Sequence, residues 1–273
     1  MSVVKREEVT RAAKKHTSKK TRSCLTAAYG AAAVALVLGA LLFSFQFPLS
    51  KNTSKTIAGV RDKTRIQTMS TGGAPQPSMS ASIVEGETHT TPPIPYYLCG
   101  NPADPHIVLL HGARFTKADW EQSGILQQFC KEGNLSVSAL NLSVRADHTK
   151  LLQVIESLAS DGKVTSPIAA VVTPSASGFT IIDGITNDRI DTLRRSIRSW
   201  IPVASPASLQ HDVSVLSKAK GWPILAVYGD KDAMGKKASY VWKDAADAQV
   251  VELKVSCDAC TPRQAGMKLP DIS

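Results

Sequence analysis

A hydroxyl becomes a useful nucleophile when it is held on a turn too tight for bulky neighbours, with hydrogen-bond donors beside it. The run Ala169-Ala170-Val171-Val172-Thr173-Pro174-Ser175-Ala176-Ser177-Gly178-Phe179 breaks abruptly from apolar residues into small hydroxylated ones and a glycine. A buried strand, a sharp turn and the first turn of a helix produce that order, which is the setting of a nucleophile elbow. Ser175 is then the candidate nucleophile. The usual elbow has glycine two residues before and two after the serine, because strand and helix pass close together there. Thr173 and Ser177 occupy those positions, so the motif is degenerate. Taking Ser177 as the nucleophile instead would put Phe179 at the crowded position two residues on, which disfavours that register.

Two other turns carry matching chemistry. His111-Gly112-Ala113-Arg114-Phe115 follows an apolar run, and a sharp turn at Gly112 leaves the Ala113 amide free to face a negative oxygen. With the amide of Ala176 it would form an oxyanion hole. The same residues also suit an ordinary turn with His111 packed in the core. Gly229-Asp230-Lys231-Asp232-Ala233-Met234-Gly235 follows another apolar run. Carboxylates there suit capping the next helix, or the acid of a catalytic triad that orients a histidine.

These turns need a scaffold that brings them together. Short apolar runs at residues 107–110, 137–142, 168–172, 201–204, 223–228 and 250–255 read as strands. Helical spacing between them occupies residues 117–130, 150–160, 177–185, 190–199, 212–219 and 236–246. Continuous apolar strands alternating with helices predict an α/β fold, a mainly parallel sheet covered by helices on both faces. Ligands of such sheets sit beyond the carboxyl ends of the strands, where all three turns fall.

The formal charge of +9 on 273 residues points toward nucleic acid until it is apportioned. Residues 1–24 carry eight Lys/Arg against two Asp/Glu, residues 48–91 five against three, and residues 92–273 nineteen against eighteen. The excess is concentrated in the amino-terminal tail, so the globular part has no nucleic-acid footprint. The tail leads into residues 25–47, twenty-three residues without a charged side chain, enough for a transmembrane helix of roughly 35 Å. Basic residues are denser before this run than after it, which predicts a signal anchor with the amino terminus cytosolic and the remainder lumenal or extracellular. Residues 48–91, rich in Ser, Gly and Pro between 70 and 82, read as a flexible linker, and residues 92–273 as the globular domain. Asn52, Asn134 and Asn141 each begin a glycosylation sequon. Cys99, Cys130, Cys257 and Cys260 form an even set compatible with disulfides, without a readable pairing. No grouping of ligands implies a metal or cofactor.

Leu109-Leu110-His111-Gly112-Ala113-Arg114-Phe115, Thr173-Pro174-Ser175-Ala176-Ser177-Gly178 and Val227-Tyr228-Gly229-Asp230-Lys231-Asp232-Ala233-Met234-Gly235, in this order, resemble the α/β-hydrolase superfamily. More narrowly, they look like its domain-containing protein fourteen branch, whose nucleophile motif also has serines in place of glycines and one form of which has an amino-terminal membrane anchor. Trp200-Ile201-Pro202-Val203-Ala204-Ser205-Pro206 is similar to the branch's strand after the nucleophile helix. The resemblance implies an α/β-hydrolase fold acting on a small ester or acyl substrate. It makes Ser175 the nucleophile, Asp232 the triad acid, and Ala113 and Ala176 the oxyanion-hole amides.

One departure matters for chemistry. Family members place the catalytic histidine in a loop after the last strand and follow it with a final helix. Here Ser256-Cys257-Asp258-Ala259-Cys260-Thr261-Pro262 stands in that place, and no histidine follows Asp232. The expectation is a carboxyl-terminally shortened member. It would be either a serine hydrolase with a base from elsewhere or a catalytically inactive domain that binds without turnover. His16 and His89 fall in the tail and linker, and His106 precedes a strand. His148 and His211 fall in connections on the active-site side, so they are the replacement bases to inspect.

Overall fold

The computed structural model describes residues 82–131 and 134–254. The tail, the apolar run at 25–47, most of the expected linker, Asn52, Cys257 and Cys260 lie outside the described residues. Among the described residues no helix is long and apolar enough to cross a membrane.

An eight-stranded sheet organises the domain. Its strands are β1 (Val84–Glu87), β2 (Pro95–Cys99), β3 (His106–Leu109), β4 (Ser136–Leu140), β5 (Ile168–Pro174), β6 (Ile197–Val203), β7 (Leu225–Gly229) and β8 (Gln249–Leu253). The spatial order is β1-β2-β4-β3-β5-β6-β7-β8. β1 and β2 join antiparallel, and every pairing from β4 to β8 is parallel. The helices are α1 (Lys117–Gln122), α2 (Ile125–Lys131), α3 (His148–Ser160), α4 (Gly178–Thr186), α5 (Ile190–Ser196), α6 (Val213–Leu216) and α7 (Ala233–Ala246).

Alternation along β3 explains why the sheet needs cover on both sides. Ile107 and Leu109 enter one core with Leu126 and Phe129 of α2. Val108 enters the other with Leu151 of α3, Ile181 of α4 and Trp242 of α7. The mainly parallel α/β architecture expected from the sequence is therefore present.

Three local expectations are corrected. The linker expected through residue 91 gives way to structure from β1, whose Val84 pairs with Leu98 and Glu87 with Pro95. Lys117, nearly buried, fastens this strand by bonding Glu85 at 2.6 Å while lying 3.4 Å from the centre of the Tyr97 ring. The single helix expected over 117–130 is broken at Ser123-Gly124 into α1 and α2. The helix expected over 190–199 ends at Ser196, because Ile197 opens a strand registered against Ile168.

Cys99 at the end of β2 and Cys130 in α2 form a disulfide. It clamps the α1–α2 layer to the antiparallel edge and closes a separation of 31 residues. The chain-entropy argument puts a link of that span at about 3.7 kcal/mol. Urea unfolding with and without reductant should show a loss of that order, and Cys99→Ala with Cys130→Ala should reproduce it. Coincident unfolding curves would mean that the clamp adds nothing to stability.

Candidate active site

β5 is the central strand, and Ser175 follows it immediately with φ of +54°. This left-handed conformation is costly for a non-glycine residue and is the kind of strain that accumulates at functional sites. The consequence is presentation: Ser175 is exposed, whereas Thr173 and Ser177 on either side are buried.

Those two flanking hydroxyls show how the elbow tolerates losing its glycines. Thr173 Oγ1 accepts a hydrogen bond from Trp200 Nε1 at 2.8 Å, and Ser177 Oγ donates to the Pro174 carbonyl at 2.9 Å. A buried polar atom with its partner supplied carries little penalty. Thr173 also holds Trp200 in place, which meets Trp242 edge to face at 4.7 Å and stacks with Trp222 at 6.0 Å.

A close approach that only glycine fits falls one residue later, at Gly178. A Cβ there would run into the Ser205 side chain, in the segment that follows β6. Gly178→Ala should therefore destabilise the domain by about 1–3 kcal/mol. Adding Ser205→Gly should recover a large part of that loss in a thermal melt. No recovery would show that the strain lies elsewhere.

The His111-Gly112 turn lies directly against the elbow. A Cβ on Gly112 would fall 3.6 Å from Ser175 Cβ and 3.7 Å from the Pro174 carbonyl oxygen. The turn is fixed by the Phe115 amide donating to the Gly112 carbonyl at 3.0 Å and by a capping box between Thr116 and Asp119 at the start of α1. Ala113 is exposed, and Ala176 lies in a single 3-10 turn, where the leading amides have no partner within the helix. His111 is buried, with Nδ1 3.0 Å from the Gly112 carbonyl. That carbonyl takes the Nδ1 proton, so His111 holds the turn's shape.

Asp232 caps α7, its Oδ1 accepting from the Gly235 amide at 2.8 Å. Among the described residues its carboxylate bonds to no histidine. The capping role anticipated for a carboxylate in this turn is thus realised.

Both histidines expected on the active-site side lie along α4 rather than at its start. His148 Nδ1 is 2.6 Å from Asp183 Oδ2, and the His148 amide reaches the same oxygen at 3.1 Å. Burial pushes the Asp183 carboxyl up, but these bonds outweigh it and hold the group below the ordinary carboxylate value. Asp183 lies eight residues beyond Ser175, roughly 12 Å along a helix, so His148 is out of reach of the elbow. His211 lines a cavity of about 290 Å³ with Arg145, Asp147, Phe179, Ile182 and Asp183, on the same stretch of α4. Among the described residues no cluster of three or more His, Cys, Asp or Glu is arranged to hold a metal ion.

No family model and no curated protein matches the chain. Solved structures do match in fold. A CIB-like hydrolase from Thermoplasma acidophilum is similar with a TM-score of 0.50 and 16% identity, over 64% of this chain and 88% of that one. An S-formylglutathione hydrolase from Staphylococcus aureus is similar with a TM-score of 0.50 and 13% identity, over 67% of this chain and 93% of that one. At such identities the likeness is one of fold. The domain has the α/β-hydrolase fold.

Proposed function

We propose that this α/β-hydrolase fold serves a hydrolase of small ester or acyl substrates, with Ser175 as nucleophile. The observation that carries the reading is the exposed Ser175 at φ of +54°, in contact range of the Gly112 turn. Maintaining a strained, solvent-facing hydroxyl beside two turn amides has a chemical rationale and no packing rationale.

In this reading Ser175 Oγ adds to the substrate carbonyl carbon and its proton passes to water. The carbonyl electron pair moves to oxygen, where the amides of Ala113 and Ala176 stabilise it. Collapse expels the alcohol, which takes a proton from water, and a second water releases the acid from the acyl-serine. Asp232 caps the start of α7. Without an imidazole on Ser175, turnover is slow: loss of the base costs on the order of a millionfold in a well-studied serine protease.

Hydrolysis of p-nitrophenyl acetate tests the reading. A rate above buffer that disappears in Ser175→Ala supports it. An unchanged rate in the variant removes Ser175 from the chemistry, and no rate at all leaves the binding-only domain as the better account. The bonding of Asp232 to the Gly235 amide, with no histidine beside it, is the observation that favours that second reading.

The proposal also covers setting. We read the chain as a single-pass membrane protein of the domain-containing protein fourteen type, anchored by residues 25–47 with its domain lumenal or extracellular. The Cys99–Cys130 disulfide and the exposure of Asn134 and Asn141 support an oxidising, glycosylating compartment. Cleavage by an N-glycosidase should increase gel mobility of the cell-derived protein, and Asn134→Gln with Asn141→Gln should reduce that shift.

A further inference from the structure

The cavity along α4 contains a charge arrangement that neither the fold nor the proposed chemistry requires. We infer that it binds a small organic anion, a carboxylate carried on a compact apolar body. Its floor is Ile182, buried, and Phe179, half-buried, one helical turn beyond the elbow. Its volume of about 290 Å³ lies at the small end of ligand pockets, which suits a single ring or short chain.

The polar groups around that floor divide sharply. Asp147 and Asp183 also line it, but both are engaged within the fold. Asp147 Oδ1 accepts from the Lys150 amide at 2.8 Å. Asp183 receives His148 on one oxygen and Asn187 Nδ2 on the other at 2.9 Å. By contrast, the Arg145 guanidinium and the His211 ring have no hydrogen bond or ion pair among the described residues. A permanently charged donor and an imidazole therefore line one cavity without partners, while Asp183 is bonded on both oxygens and Asp147 on one. An anion is the ligand that completes this set.

The site is also held in shape. Thr180 Oγ1 donates to the Ala146 carbonyl at 2.9 Å, tying the Arg145 turn to α4, and the Ala146 amide closes the turn on the Ser143 carbonyl at 2.9 Å. Asp147 caps α3 on the other side. The backbone beneath Arg145 is thus fixed, which limits the ordering cost of binding.

Equilibrium binding reads this site without turnover, so the result is independent of Ser175. The purified chain is titrated by calorimetry with benzoate, with neutral benzamide of the same shape, and with inorganic phosphate. Benzoate should bind saturably and at least about tenfold more tightly than benzamide, as expected for charge-assisted hydrogen bonds. Arg145→Gln, at an exposed position, should erase that preference at an unchanged melting temperature, and Phe179→Ala should weaken both aromatic ligands. Equal affinity for benzoate and benzamide would overturn the inference. So would benzoate binding unaffected by Arg145→Gln, phosphate binding as tight as benzoate, or no saturable binding of benzoate.

Discussion

Ser175→Ala should abolish covalent capture of a fluorophosphonate probe by this protein, while the folded domain persists. Capture requires that the hydroxyl be exposed, pre-positioned and flanked by donors for the developing negative oxygen, and that its proton pass to water as the P–O bond forms and fluoride leaves. The elbow supplies the first two, and in the proposed reading the Ala113 and Ala176 amides supply the third. It does not require a second proton transfer to a leaving alcohol, so it survives a missing base better than turnover does. Alanine at φ of +54° is strained to a similar degree as serine, which keeps the control folded. The expected wild-type signal is slow, time-dependent labelling that rises with pH as the hydroxyl ionises more readily. Labelling that persists in Ser175→Ala would point to another nucleophile, and a folded wild type that never labels would return the domain to the binding-only class. Gly112→Val should also suppress labelling, because a branched side chain there meets Ser175 and Phe115.

How much of this was legible in the sequence follows from where each residue's constraint comes from. β3 and β5 are buried on both faces, so their runs of Ile, Val, Leu and Ala announce them without any alternation. β1 and β2 carry no such mark. Both lie at the antiparallel end of the sheet with partly solvated residues, and β2 opens on a proline, which is tolerated as the first residue of a strand. Ile190, Leu193 and Ile197 fit one helical face, yet Ile197 belongs to β6, because pairing with Ile168 decides what local spacing leaves ambiguous. The elbow was readable through Ser175 despite the missing glycines. The contact that replaces them, Gly178 against Ser205, was not. It depends on how β5 and β6 pair, a relation between residues 27 apart. The pairing of Cys99 with Cys130 was hidden for the same reason, since it needs β2 and α2 to be neighbours first.

The other large expected effect is a loss of stability on mild acidification, originating at the far end of β3 from the elbow. His106 opens that strand and is almost fully buried, with Nδ1 2.9 Å from Ser136 Oγ and Nε2 2.9 Å from Ser138 Oγ. Ser136 Oγ also donates to the Cys99 carbonyl at 3.3 Å. With that proton committed, Ser136 accepts from Nδ1–H, and Ser138 then donates to Nε2. The network is complete for a neutral ring, whereas a second ring proton would leave a buried charge with no ion pair among the described residues. Burial accordingly lowers the His106 pKa from 6.5 to about 3. As pH falls through 6.5 the unfolded chain takes up a proton that the folded one refuses, so stability declines until about pH 3 and no further from this source. At roughly 1.4 kcal/mol per pH unit, moving from pH 7 to pH 4 should remove on the order of 3 kcal/mol. Asp183, held below the ordinary carboxylate value, contributes stability that begins to be lost only as pH falls below about 5, so the decline between pH 6.5 and about 5 separates His106 from it. Urea unfolding across that interval should show the decline in wild type and a shallower one in His106→Gln, which keeps a donor and an acceptor but cannot ionise. Equal slopes would assign acid sensitivity to other groups. Because the ring sits at the opposite end of the strand from Gly112, its protonation should act through unfolding alone. At a fixed pH of about 5, labelling of Ser175 in wild type and in His106→Gln should therefore differ only by their folded fractions.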